Sequence, residues 1–196
     1  VGLFFNLDSP LFKVKEVRQA LAYGLPKFDD FDKAYTPISP LSWAYSKNVR
    51  LYNSDPDSAA KILSKSPLAS TSSILTLSTY PSYVAQAEKI AESWNKFGLN
   101  VKVRVENTFN SSYQIFLMSL PIPPDPDQYS YWQSTQENTN ITHYNNPKID
   151  NLLEEGRKTQ DKSARKKIYY DFQRYLVDDL PVIFLYYPKI YQIERL

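Results

Sequence analysis

Apolar positions along the chain switch between a spacing of two and a spacing of three to four, and the switches mark out its elements. In LNVKVRVE (99–106), Leu99, Val101, Val103 and Val105 alternate with Asn100, Lys102, Arg104 and Glu106. That is a strand with one dry face and one wet face. The preceding stretch from Ser82 to Phe97 has helical periodicity and is closed by Gly98; before it, ILTLST (74–79) reads as another strand. A strand, a helix and a strand joined by links this short form a parallel crossover unit. YQIFLMSL (113–120) is apolar throughout its second half and is expected near the centre of the sheet, covered on both faces.

The remaining elements follow by the same logic. Residues 1–7 read as a strand, and Lys13 to Leu25 as a helix with Val14, Val17, Ala20 and Leu21 on one face, stopped by Pro26. Residues 27–52 lose periodicity but hold many rings and prolines, so an ordered loop is expected rather than a flexible linker. Asp55–Pro56 and Asn146–Pro147 are helix starts, each pairing a capping side chain with a proline where no amide bond is lost. The first of these helices runs to about Ser66. A long helix is expected from Ser163 to Asp179, with Ile168, Phe172, Tyr175 and Leu176 inward and the basic run at 165–167 in solvent. PVIFLYY (181–187) reads as one buried strand. The whole, 1–196, is expected to be one α/β domain, a mixed sheet flanked by helices.

Composition narrows the function. A net charge of +2 with no long single-sign run gives no footprint for nucleic acid. The absence of cysteine removes disulfides, thiolate metal sites and a cysteine nucleophile, and suits a cytosolic or an exported bacterial protein alike. The longest apolar run, VIFLYY at 182–187, falls far short of the ~20 residues a membrane-spanning helix needs. VGLFFNLDSP lacks the basic start of a signal peptide, so any export signal is expected outside this chain, and the abrupt apolar opening suggests a piece of something longer. Four scattered glycines build no phosphate-cradling loop, so no nucleotide cofactor is expected. The single histidine, His143, has no ligand set for zinc around it. Sixteen tyrosines and three tryptophans favour half-wet recognition surfaces.

The segment PIPPDPDQYSYWQS (121–134) concentrates the candidate chemistry. It leaves the carboxyl end of the strand at 113–120, where ligands collect in open α/β sheets. Asp125 and Asp127 have no basic neighbour in sequence to complete acid–base work, and turn or cap duty is expected of them, with Asp125 capping a short helix that begins at Pro126. Ring-bearing candidates for a cleft wall are Tyr129 and Trp132 after this corner, Tyr187 with Tyr186 on the last strand, and Phe4 or Phe5 on the first. For Phe4, Phe5 and Tyr186 a place in the core is the expectation. A hydrolase using Asp125 or Asp127, and a protein-interaction domain built on exposed tyrosines, remain as alternative readings.

PLFKVKEVRQALAYGLPK, PISPLSWAY, LYNSDPDSAAKIL, the strand–helix–strand ending FGLNVKV, DPDQY, HYNNPKIDNLLEEG and the arginine-led helix before LPVIFLYY occur here in one order. In that order they resemble the peptide/nickel class (family 5) of extracellular solute-binding proteins of ABC importers, over nearly the whole chain. The resemblance implies a periplasmic-binding-protein-like fold without catalysis. A peptide or other extended small-molecule ligand would be enclosed between two α/β lobes, this chain being the carboxyl-side lobe. It implies as partners the amino-terminal lobe of the same full-length protein and an ABC permease. It also implies an extracellular or periplasmic location, with a lipoprotein anchor in the full-length protein. It places the ligand against Leu120 to Pro124 and puts at Ile122 the position where peptide-binding members hold the ligand's amino terminus with an aspartate. Asp125 is a further candidate acceptor. Prolines 121, 123 and 124 offer no amide to a ligand backbone. LPKFDDFDKAYTPISP (25–40) is shorter than the family's usual stretch there.

Overall fold

The computed structural model describes residues 1–70 and 74–188. Among them five strands form one sheet in the order β4-β3-β5-β1-β6: β1 (Gly2–Phe5), β3 (Leu75–Thr79), β4 (Val101–Val105), β5 (Ile115–Met118) and β6 (Val182–Phe184). The sheet is mixed. β3 runs parallel to both β4 and β5, whereas β1 is antiparallel to β5 and β6. β5 is central and buried along its whole length, as its unbroken apolar run requires.

The crossover unit forms as read. Helix α4 (Val84–Asn95), entered by a 3-10 turn at Pro81–Tyr83, joins β3 to its parallel neighbour β4. Gly98 has φ 82°, a left-handed conformation that a side chain would strain. The side chain of Asn95 accepts from the Val101 amide at 2.7 Å and so fixes the return into β4. The expected dry face of β4 holds only at its start: Val101 is buried and Val105 is 50% exposed. β4 is an edge strand, with β3 as its one neighbour in the sheet.

α3 (Pro56–Leu63) and α6 (Pro147–Lys158) begin where proline follows a capping residue, with Asp55 accepting from Ser58 N at 3.0 Å and Asn146 from Lys148 N at 3.0 Å. α7 (Lys162–Asp179) forms a hairpin with α6 and is capped by Asp161. Its buried stripe is Tyr169, Phe172, Gln173 and Leu176, so Tyr169 takes the position expected of Ile168, and Tyr175 is only partly covered.

Tertiary contacts break other elements. The helix read over 13–25 is two, α1 (Pro10–Lys13) and α2 (Lys15–Tyr23), because Val14 is extended at ψ 111°. Buried Arg18 of α2 binds the carbonyls of Phe12 and Lys13, just before that break, and of Leu180 at the end of α7. PVIFLYY divides at Leu185. β6 stays on the main sheet, while β7 (Tyr186–Tyr187) pairs with β2 (Asp32–Lys33), a two-residue strand inside the proline-rich loop. That loop is ordered, as expected. Its carbonyl at Ala44 and amide at Ser46 are bound by the Gln173 side chain at 2.8 and 3.2 Å.

Candidate functional site

β5 and β6 end, and antiparallel β1 begins, at one edge of the sheet, where Gly2 pairs with both Met118 and Phe184. A partly open cavity lies there, with about 40 Å³ accessible to the centre of a water-sized sphere. Its walls come from four places: Gly2 and Phe4 of β1, Leu120 to Ile122 after β5, Tyr131 and Trp132 of α5 (Tyr129–Trp132), and Phe184 with Tyr187. Ala34, Thr36 and Pro37 from the long loop complete it. Of the residues expected at a ligand, Leu120, Ile122, Trp132 and Tyr187 come together here. Phe4 does double duty as core and as cavity wall, whereas Phe5 packs on Phe12 and Tyr186 stacks on Phe31 at 4.1 Å, both inside the core.

The corner that carries Leu120 and Ile122 is rigid for local reasons. Asp125 Oδ1 accepts from the Asp127 amide and Asp127 Oδ1 from the Tyr129 amide, each at 2.9 Å, two side-chain turns in series. They hold the backbone out of helical geometry until Gln128, so α5 starts at Tyr129 and not at Pro126; the expected cap at Asp125 is replaced by this relay. The Tyr131 hydroxyl donates to the Pro121 carbonyl at 3.4 Å, tying the proline run to α5.

Asp125 and Tyr129 lie outside the cavity lining. Asp125 takes two hydrogen bonds from Arg165 of α7, at 2.9 and 3.2 Å, and Asp127 takes one from Arg157 of α6 at 2.8 Å. Partial burial raises the Asp125 carboxyl, but the Arg165 guanidinium and the Asp127 amide outweigh it and hold the group below the usual carboxylate range. The Tyr129 ring sits under Arg157, 3.8 Å from its guanidinium carbon. These residues brace the corner from behind.

Sequence reading missed Gln128. It is 3% exposed, lines the cavity, and its Oε1 accepts from the Trp132 indole N–H at 3.3 Å. Its Nε2 has no partner among the described residues, and neither does the buried hydroxyl of Tyr187. Burial pushes the Tyr187 phenol well above its ordinary range, so it stays neutral at physiological pH. No signal in the sequence distinguishes Gln128 from a surface glutamine; its burial follows from the way α5 folds back on the strand ends. Among the described residues no cluster of histidine, aspartate and glutamate gathers to hold a metal ion, and no helix is long and apolar enough to cross a membrane.

A mixed sheet with a crossover unit thus carries an aromatic cavity at the edge where its central strand ends. The chain belongs to the bacterial extracellular solute-binding proteins, family 5: the sequence model for the middle region of that family matches residues 1–141. It is similar to the oligopeptide-binding protein AppA of Bacillus subtilis (strain 168), with 26% identity over 96% of this chain and 41% of that protein. The dipeptide-binding protein of Escherichia coli (strain K12) is 23% identical over 98% of this chain and 41% of its own length. In three dimensions the chain matches AppA of Bacillus subtilis in complex with a nonapeptide, with a TM-score of 0.85 over 95% of this chain and 44% of that one. NikZ of Campylobacter jejuni in complex with Ni(L-His) matches at a TM-score of 0.81 and 29% identity, over 94% of this chain and 44% of that one. The chain therefore spans about two fifths of the length of the curated relatives it matches.

Proposed function

We propose that this chain is the carboxyl-side lobe of a two-lobed receptor that captures an extended ligand of the peptide class, outside the cytoplasmic membrane, for an ABC permease. The observation that carries the reading is the position of the cavity. It opens at the edge of the sheet where β5 delivers Leu120 and Ile122, and it gathers Trp132 and Tyr187 from elements remote in sequence. Family membership and relatives named for oligopeptide and dipeptide binding support the same assignment.

The second wall comes from an amino-terminal lobe in the remainder of a longer protein, which accords with the share of its relatives that this chain spans. That longer protein is held at the membrane by a lipid anchor. Leu120, Ile122, Trp132 and Tyr187 touch the ligand, while Asp125 and Tyr129 keep the corner in place. No chemistry is done on the ligand, because both carboxylates of the corner are engaged by arginines.

Calorimetry on the full-length receptor and on residues 1–196 alone, with a pool of short peptides, tests this. The full-length receptor binds at micromolar concentrations or below, and half a cleft binds no tighter than about millimolar, since closure supplies the contacts of the other wall. Sub-micromolar binding by residues 1–196 alone, or turnover of peptide by the receptor, overturns the proposal.

A further inference from the structure

The long loop carries the most exposed large apolar side chain among the described residues: Leu41 is 96% in water, whereas the next, Leu51 and Val105, are 50% exposed. Its turn is nonetheless braced. The Ser42 amide donates to the Ser39 carbonyl at 2.9 Å, the Leu41 amide to Ser39 Oγ at 3.2 Å, and the Tyr45 amide to the Ser42 carbonyl at 3.1 Å. Ile38 and Ala44 are buried on the two flanks, and Gln173 holds the Ala44 carbonyl. A fixed turn thus presents Leu41 outward, where it adds nothing to the core of this lobe.

Single exposed leucines are common and mean little by themselves. This one has apolar company. Pro40, Tyr35, Tyr45 and Tyr187 line a groove with it, which offers about 530 Å³ to the centre of a water-sized sphere against about 40 Å³ in the cavity at the strand ends. Tyr187 lines both, and the loop residues that border the cavity, Ala34, Thr36 and Pro37, lead directly into the turn. The apolar patch is therefore a continuation of the cavity wall. Exposed Lys33 and Lys47 stand at it as well. A broad apolar surface with a polar rim suits another protein body, not a socket for a few atoms.

Position decides which body. A wall that closes over the cavity meets Tyr187, and Leu41 comes next along the same surface. This chain covers 41% of the length of AppA of Bacillus subtilis, so a receptor of that length has a further body to make the contact.

We infer that Leu41 is a latch: on closure its side chain enters an apolar recess of the amino-terminal lobe, outside the ligand cavity, and so favours the closed form whichever ligand is held. This rests on the reading of the chain as one lobe of a two-lobed peptide receptor. Apparent affinity scales with the fraction of receptor that reaches the binding-competent form, so a contact between lobes acts equally on every ligand. A contact with the ligand acts only on ligands that reach it.

The test is calorimetry on the full-length receptor with peptides of two to five residues and varied side chains. Leu41→Asp is expected to weaken binding about tenfold, by the same factor for every peptide that the parent binds. Leu41→Met keeps an apolar side chain of similar length and should stay within about twofold of the parent. Since Leu41 lies outside the core, the ligand-free variants should melt with the parent; if Leu41→Asp melts early, Leu41→Ser takes its place. Unchanged affinity in the polar variant overturns the latch. So does a loss confined to the longer peptides or to particular side chains, which puts Leu41 on the ligand. A parent that sediments as a dimer, with the polar variant a monomer, also overturns it and gives the patch to a second copy. Each of these results leaves the peptide-receptor reading intact, whereas a parent that binds none of the peptides overturns that reading and the latch with it.

Discussion

Gly156 of α6 and Tyr169 of α7 meet with no room for a side chain between them: a Cβ on Gly156 would stand 2.9 Å from Tyr169 Cζ. Tyr169 is fully buried, so its ring has nowhere to retreat. The close approach also sets Arg165, whose Nε donates to the Gly156 carbonyl at 2.7 Å while its terminal nitrogens reach Asp125. A glycine in one helix thus places the arginine that holds the proline-rich corner.

Gly156→Ala is therefore expected to destabilise the protein. In an exposed helix this change is worth up to ~1 kcal/mol of stabilisation. Here the overpacking penalty, typically ~1–3 kcal/mol, opposes it and wins because the ring is enclosed. Urea denaturation should show a lower midpoint with unchanged slope, and a raised midpoint would mean that the hairpin spreads freely.

The ion pair at the corner predicts a small acid sensitivity. Asp125 lies below its ordinary value of 3.8, so its contribution is present above that pH and is lost as pH falls through the lower folded-state value. Asp125→Asn should cost ~0.5 kcal/mol at neutral pH, a modest figure because the Asp125 side chain is 54% exposed and screened by solvent. The gap between variant and parent should close as pH falls below 3.8 and the folded-state carboxylate takes up its proton. Melting temperatures taken across that range check it, and a gap that widens in acid contradicts the assignment.

What could be read from the sequence was what local physics decides. Asp55–Pro56 and Asn146–Pro147 announced their helices because cap and proline act within one turn, and Gly98 marked the end of the α4 region because its left-handed backbone excludes most other residues. The position of β5 followed from its unbroken apolar run. The breaks at Val14 and Leu185 did not, since each is made by a distant partner: Arg18 reaching α7 in one case, the Ala34 amide donating to the Leu185 carbonyl in the other. Val105 looked dry because alternation does not reveal whether a strand is an edge. At the site, the rings at 132 and 187 stood out by type, while Gln128 and Gln173, both buried amides, have nothing in their surrounding sequence to separate them from solvated ones.

Gln173 is the easier of these two to test. Its amide bonds the Ala44 carbonyl, the Ser46 amide and the Tyr169 carbonyl, so it pins the long loop to α7. Gln173→Leu keeps much of the volume but leaves the Ala44 carbonyl and the Ser46 amide buried and unmet, at ~1–3 kcal/mol for each. Hydrogen exchange should show the Ser46 amide losing protection by a larger factor than amides in β5. Equal loss everywhere would indicate global destabilisation and not release of the loop.

Trp132→Phe separates the two things Trp132 does. The phenyl ring keeps most of the apolar wall, but without the indole N–H nothing selects the orientation of the Gln128 amide, and its oxygen and nitrogen can exchange places. The parent has one unmet amide nitrogen; the variant has an unmet oxygen as well, which should cost ~1–2 kcal/mol of stability. Urea denaturation checks it: a lowered midpoint with unchanged slope is expected, and an unchanged midpoint would show that the indole contributes area alone.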